Sequence, residues 1–204
     1  MNKKTLKKVL LATTNHGKQG ELMELLAGLP CSLVTPEGLQ LDLVVEETGA
    51  SYSENAILKA EAYCLASGLI TIADDTGLEV DALNAAPGLH SARFSPLPGA
   101  GDADRRKLLL ETLAAHPQPW PARFRCVVAV AIPGMPIITF DGAIEGEILD
   151  HERGKHGFGY DRLFWIPRAG KTMAELGMTE KNEISHRAVA VKKAIPYLLT
   201  NITN

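Results

Sequence analysis

The chain has 204 residues, 46% of them apolar and 22% charged, and its 21 lysines and arginines face 24 aspartates and glutamates, a net charge of −3. These proportions are those of an ordinary globular domain and exclude disorder. The near-neutral balance also excludes a protein that coats nucleic acid through bulk charge. No stretch reaches the roughly 18 apolar residues of a membrane span. The basic start MNKKTLKK is followed by only Val9 to Ala12 before polar residues resume, too short a core for a secretory signal. Cys31, Cys64 and Cys126 are widely spaced and form no C-x-x-C pair, so neither a disulfide framework nor a zinc cluster is indicated. The expectation is a soluble, cytoplasmic, single-domain protein.

Val9 to Thr13 reads as a short strand running into Thr-Asn-His-Gly-Lys, and Leu22, Leu25, Leu26 and Leu29 mark an amphipathic helix stopped by Gly28 and Pro30. A second strand is expected near Leu41 to Val45, ahead of Glu46-Glu47-Thr48-Gly49. Ser51-Tyr-Ser-Glu54 is a capping-box pattern opening a helix that ends at Gly68. Leu69 to Ala73 reads as a buried strand that meets Asp74-Asp75-Thr76-Gly77, with strand alternation resuming at Leu78, Val80 and Ala82. Residues 84–101 read as a long loop, a helix is expected from about Asp102 to Ala115, and the prolines of His116 to Pro121 suggest a lobe boundary. Phe124 to Ile132 and Ile137 to Leu149 form an expected antiparallel hairpin. Leu163 to Ile166 is a further strand, and a last helix spans about His186 to Leu199, where Pro196 should kink or fray it. The order predicts an α/β fold with a mixed sheet flanked by helices.

Three polar clusters, Thr13 to Lys18, Glu46 to Gly49 and Asp74 to Gly77, each follow a predicted strand, where ligands of open α/β sheets bind. The first offers hydroxyls, helix N-terminal amides and an ammonium, which suit a phosphate chain. The other two offer adjacent carboxylates, which suit Mg²⁺. Each also has an ordinary reading, as an N-cap, an acidic turn and an Asx-type turn respectively. Elsewhere, Gly170-Lys171-Thr172 lacks the first glycine of a P-loop, Gly157-Phe-Gly159 lacks the third of a dinucleotide fingerprint, and there is no G-x-S-x-G. Two late segments remain. His156-Gly-Phe-Gly-Tyr-Asp161 sets Phe158 and Tyr160 among glycines, as a base-stacking loop or a surface turn with its rings folded inward. Lys181, His186 and Arg187 gather positive charge at a predicted helix start, an unfavourable place unless an anion bridges it.

With these residues in view, the chain resembles the inosine/xanthosine triphosphate pyrophosphatase family. The resemblance rests on LATTNHGK, EETGASYSENAILKA, ADDTGLEVDAL with APGLHSARFS, GFGYDRLF, GKTMAEL and EKNEISHRAVA, in the family's order from residue 10 to about 190. It implies an elongated α/β fold, one domain over 1–204 with two lobes and a nucleotide cleft between them, usually as a homodimer. It implies Mg²⁺-dependent hydrolysis of ITP, dITP and XTP to the monophosphate and pyrophosphate; a sister activity on dTTP, UTP or modified pyrimidines is the alternative. By the same resemblance, Thr13, Thr14, Asn15, His16, Gly17 and Lys18 form the triphosphate loop. Glu46 and Asp75 hold the metal, with Asp75 also the catalytic base and Thr76 a substrate contact. Phe158, Gly159, Tyr160 and Asp161 form the base loop, and Lys181, His186 and Arg187 complete the nucleotide contacts. Lys59 is similar to a family lysine facing the phosphates. Thr14, His156 and Arg162 depart from the family's usual Gly, Gly and Pro, a change of rim geometry rather than of reaction.

Overall fold

The computed structural model describes residues 6–203, so the first five residues of the basic start lie outside them. Thirteen helices and strands follow in order: β1 (Lys7–Leu11), α1 (His16–Leu26), β2 (Cys31–Val34), α2 (Tyr52–Ser67), β3 (Ile70–Val80), β4 (Pro87–Gly88), α3 (Asp102–Leu113), β5 (Trp120–Ala131), β6 (Ile138–Ile148), β7 (Phe164–Ile166), β8 (Lys171–Thr172), α4 (Met178–Ile184) and α5 (His186–Thr203). The sheet is mixed, as expected: its order is β2-β1-β3-β5-β6-β7-β8, with β4 paired to β3. β1 runs parallel to β2 and β3, whereas β3–β4, β6–β7 and β7–β8 are antiparallel. β5 and β6 are sheet neighbours joined by a connection too short for a crossover, so they form the expected hairpin.

Two expectations about the strands are corrected. Leu41 to Val45 joins no ladder, and the second strand is Cys31–Val34 instead, paired with Lys7 to Leu10. Asp74 to Gly77 is no loop after a strand, because β3 continues through it for 11 residues. α5 runs through Pro196 to Thr203, with Ala194, Leu198 and Ile202 buried on its core face.

The chain forms two compact units. The first holds the described residues up to Asp75, Cys126–Gly142 and the described residues from Arg187 onward; the second holds Thr76–Arg125 and Ala143–His186. Their boundaries cut β3, β5 and β6, so the prolines of His116 to Pro121 lie inside the second unit and mark no boundary.

In the first unit both faces of the sheet are covered. Alternation along β1 sends Val9 and Leu11 into a core with α1 and α5, and Leu10 and Ala12 into a second core with α2. The same split divides Val128 and Val130 from Ala129 and Ala131 on β5, which is why that half of the strand reads as a continuous apolar run. α2 is capped by Ser51 as expected, its Oγ accepting from Glu54 N, while Glu54 Oε2 accepts from Ala50 N, one residue ahead of the N-cap. It ends at Gly68 in the left-handed conformation.

In the second unit the other half of β5 alternates. Trp120, Ala122 and Phe124 enter a core with Leu109, Leu113, Tyr160 and Phe164. Pro121, Arg123 and Arg125 face outward, where both arginines pair with Glu79 and Arg123 also reaches Asp81 and Glu145.

Candidate active site

The parity of β3 sorts the two central aspartates. Ile70 and Ile72 face the α1–α5 layer and Ala73 faces α2, so successive side chains send Asp74 to the first layer and Asp75 to the second.

On the α1–α5 side, Asp74 is 1% exposed and Arg187, the second residue of α5, is likewise 1% exposed. Arg187 Nε and Nη2 both donate to Asp74 Oδ2, at 3.2 and 3.0 Å, while Nη1 donates to Glu21 Oε2 on α1. Burial works against the guanidinium charge, but Asp74 and Glu21 outweigh it and hold the Arg187 pKa above its ordinary value. The Lys18 ammonium also meets Asp74 Oδ2, at 3.1 Å. One buried carboxylate therefore ties the start of α5 to the first turn of α1.

That first turn is built by the Thr13 to Lys18 cluster. Asn15 is the N-cap, its Oδ1 accepting from Lys18 N at 3.0 Å, and Thr13 Oγ1 accepts from Asn15 N. Gln19 Nε2 donates to Thr13 O at 2.8 Å and fixes the approach of the loop. Thr14, Asn15 and His16 remain exposed, and Thr13, Gly17 and Lys18 are half-buried. The N-cap reading of this loop is thus correct, and it leaves an exposed helix N-terminus with an ammonium beside it, an arrangement that favours anions.

On the α2 side, Asp75 is 6% exposed. Asn55 Nδ2 donates to its Oδ2 at 3.2 Å, and the Lys59 ammonium lies 3.6 Å from its Oδ1. Asn55 Oδ1 in turn accepts from Gly49 N at 2.8 Å, so one amide locks the acidic segment to the aspartate. Gly49 is required by this close approach: a Cβ there would stand 2.6 Å from Glu54 Cβ and 2.7 Å from Asn55 Oδ1. Lys59 Nζ reaches Glu47 Oε1 at 2.5 Å. The segment 41–50 alternates half-buried and exposed residues throughout, which turns Glu47 inward and leaves Glu46 in solvent. Burial raises the Asp75 pKa and Glu47 adds to it, against the pull of Lys59 and Lys18 and the Asn55 hydrogen bond. Lys59 is held above its usual pKa because Asp74, Asp75 and Glu47 overcome its burial.

The second unit holds the other residues singled out in the sequence. Asp161, 4% exposed, accepts with one oxygen from both Lys181 Nζ at 2.6 Å and Phe158 N at 3.0 Å. The Lys181 ammonium lies 5.1 Å from the centre of the Phe158 ring, within cation–π range. Tyr160 folds inward, 4% exposed, with its hydroxyl donating to Ser91 O at 2.9 Å, so of the two loop aromatics only Phe158 keeps part of its surface in solvent. His186 is 3% exposed and stacks on Phe124 with centroids 4.7 Å apart. Thr76 is half-buried on β3 immediately after Asp75, and His156 is exposed.

The structure adds Glu21 and Asn55 to the residues chosen from the sequence, and gives Asp74 and Glu47, members of the two acidic clusters to which the resemblance assigned no role, buried or half-buried cationic partners. Asn55 had a readable signal, since it follows the capping box by one position and β3 runs beside α2. Glu21 had none.

An α/β sheet carrying paired acidic and basic groups beside an exposed helix N-terminus is suited to binding an anion such as a phosphate. The Ham1 family model matches residues 9–197, and the chain belongs to the Ham1 family. It is 47% identical over 192 residues to the dITP/XTP pyrophosphatase of Desulforamulus reducens, covering 94% of this chain and 95% of that protein. The dITP/XTP pyrophosphatase of Bacillus subtilis is 42% identical, over 92% of this chain and 95% of its own length. Among solved structures, the Staphylococcus aureus Ham1 protein superposes with a TM-score of 0.84 at 37% identity, covering 96% of this chain and all of that one. The nucleoside-triphosphatase / dITP/XTP pyrophosphatase of Mycobacterium abscessus gives 0.72 at 37% identity, over 93% and 99%.

Proposed function

We propose that this protein hydrolyses non-standard purine nucleoside triphosphates (dITP, ITP and XTP) to the nucleoside monophosphate and pyrophosphate. The carrying observation is Asp75, a nearly buried carboxylate held by Asn55 and Lys59 on the strand whose preceding residue, Asp74, holds Lys18. The names of the curated relatives at 42–47% identity support the same activity.

Water attacks the α-phosphorus; its oxygen bonds to phosphorus, the bond to the α,β-bridging oxygen breaks, and pyrophosphate leaves with the electron pair. Asp75 takes the proton of the attacking water. Its raised pKa makes it a stronger base than an ordinary aspartate, provided it is ionised. Thr13, Thr14, Asn15, His16, Gly17 and Lys18 receive the phosphate chain at the α1 N-terminus, and Thr76 adds a hydroxyl next to Asp75. Phe158, Gly159 and Asp161 with Lys181 receive the base, while Tyr160, expected to do so by the resemblance, anchors the loop from the core through Ser91 O. His186 and Arg187 support these contacts from within the protein, Arg187 through Asp74.

The donor set fits a hard divalent cation such as Mg²⁺. Asp75 and Glu47 are oxygen-only ligands that already share one positive charge, the Lys59 ammonium, and Mg²⁺ is commonly held by one or two carboxylates with substrate phosphates. Among the described residues no three His, Cys, Asp or Glu side chains converge as a metal site, so phosphate oxygens would complete the shell. Bound there, the ion would supply charge neutralisation at the phosphates. The resemblance assigns this role to Glu46; the inward turn of Glu47 and its pairing with Lys59 favour Glu47 instead. Glu47→Gln should therefore raise the Mg²⁺ concentration needed for half-maximal activity by about tenfold or more, the scale of losing a charged ligand contact. Glu46→Gln should change it less than threefold. The reverse order in a metal titration returns the ligand role to Glu46.

The primary test is pyrophosphate release from dITP, XTP, ITP, GTP, ATP and dTTP at one concentration, with Mg²⁺ and with EDTA. Metal-dependent release led by the first three supports the proposal. Release led by dTTP overturns the substrate class.

A further inference from the structure

The loop assigned to the base is gripped at Gly159 by a helix that carries no recognised site residue. Asp102, first residue of α3, accepts with Oδ2 from Gly159 N at 2.7 Å. One turn later, Arg106 Nη1 donates to Gly159 O at 2.8 Å. These bonds hold the two peptide groups on either side of a glycine in the left-handed conformation, φ +59°. Both gripping side chains are themselves held. Arg106 is 7% exposed and its Nε donates to Glu152 Oε1 at 2.7 Å; Asp102 Oδ1 accepts from Arg105 Nη2 at 2.5 Å.

We propose that Asp102 and Arg106 are positioning residues for nucleotide recognition, fixing the Phe158–Asp161 loop in its binding conformation before substrate arrives. The inference rests on the assignment of that loop to the base. Glycine has more backbone freedom to lose than any other residue, and a loop of this composition would have to order on binding. Two charge-assisted hydrogen bonds place that ordering in the free protein instead. Phe158 N and the Lys181 ammonium share one Asp161 oxygen, so rotation of the Gly159 peptides would shift the ring and the cation together. Space around the loop is already filled on one side, since a Cβ at Gly157 would collide with the Asp161 carboxylate. A clamp of this kind acts on affinity for the base half of the substrate and leaves the phosphate half and turnover untouched.

The test compares inhibition of the full-length enzyme by the two expected products, dIMP and pyrophosphate. Asp102→Ala should weaken dIMP inhibition by about tenfold, the cost of ordering a few loop rotors on binding, with pyrophosphate inhibition and kcat within twofold of the parent. Asp102→Asn keeps an acceptor oxygen for Gly159 N and should restore dIMP inhibition to within threefold. Phe158→Ala, which tests the loop assignment alone, should weaken dIMP as well. If Phe158→Ala weakens dIMP and Asp102→Ala does not, the clamp is wrong and the base loop stands. If neither weakens it, the base loop is wrong and the clamp falls with it. Equal weakening of dIMP and pyrophosphate by Asp102→Ala, with a lower Tm, overturns the clamp in favour of general destabilisation.

Discussion

Replacing Asp75 by Asn is expected to lower turnover of dITP and XTP by about 10²- to 10⁴-fold, the usual contribution of a positioned general base. Asparagine preserves shape, and its amide can still meet the Asn55 side chain. The charge and the basicity are what disappear. Two readouts separate this from an unfolded variant. First, burial raises the Asp75 pKa, so the fold works against the charge that the substitution removes, and Tm should stay within a few degrees or rise. Second, inhibition by dIMP should survive, because the loop assigned to the base belongs to the second unit and makes no use of Asp75. Turnover within fivefold of the parent would remove Asp75 as the base and shift attention to Glu47, the other carboxylate on Lys59.

The contrast between the two aspartates shows what the sequence could carry. Asp-Asp after a buried apolar run was readable as an acidic site, yet only the strand's continuation through Val80 reveals that the neighbours face opposite layers. One-residue parity decides which layer each side chain faces here, and which of Glu46 and Glu47 turns inward. The segment 41–50 alternates like a strand without pairing as one; Tyr63 OH donates to Leu43 O, packing it on α2 instead of on the sheet. Side-chain pattern alone cannot distinguish these cases, because alternation follows from extended backbone whether or not a ladder forms. The real second strand, Cys31–Val34, is four residues long and half-buried, too weak a signal to stand out behind Gly28 and Pro30. Helices with caps were legible because caps are local: Asn15, Ser51 and Gly68 all act as their sequence context predicts. The ion pairs joining Glu21 to Arg187, and the grip of α3 on Gly159, span distances in sequence that no local pattern encodes.

Arg187 supplies the second large effect, and on stability more than on chemistry. The resemblance groups it with nucleotide contacts, but its guanidinium is spent on Asp74 and Glu21, each no more than 2% exposed. Arg187→Met would take this charge partner from both Glu21 and Asp74 in an apolar layer, while Lys18 stays on Asp74. Breaking one side of a buried pair costs about 3–5 kcal/mol, which for a chain of this size lowers Tm by roughly 10 °C. Activity should fall as well, because Asp74 holds Lys18 and sits next to Asp75 on the same strand. A double-mutant cycle isolates the buried pair. Glu21→Gln removes the charge that Arg187 balances, so the combination with Arg187→Met should be more stable than Arg187→Met alone by at least about 1 kcal/mol, the coupling typical of contacting charged residues. Strict additivity of the two losses would reject the buried network as the reason for Arg187. An unchanged Tm with a large rise in KM would return it to direct contact with the nucleotide.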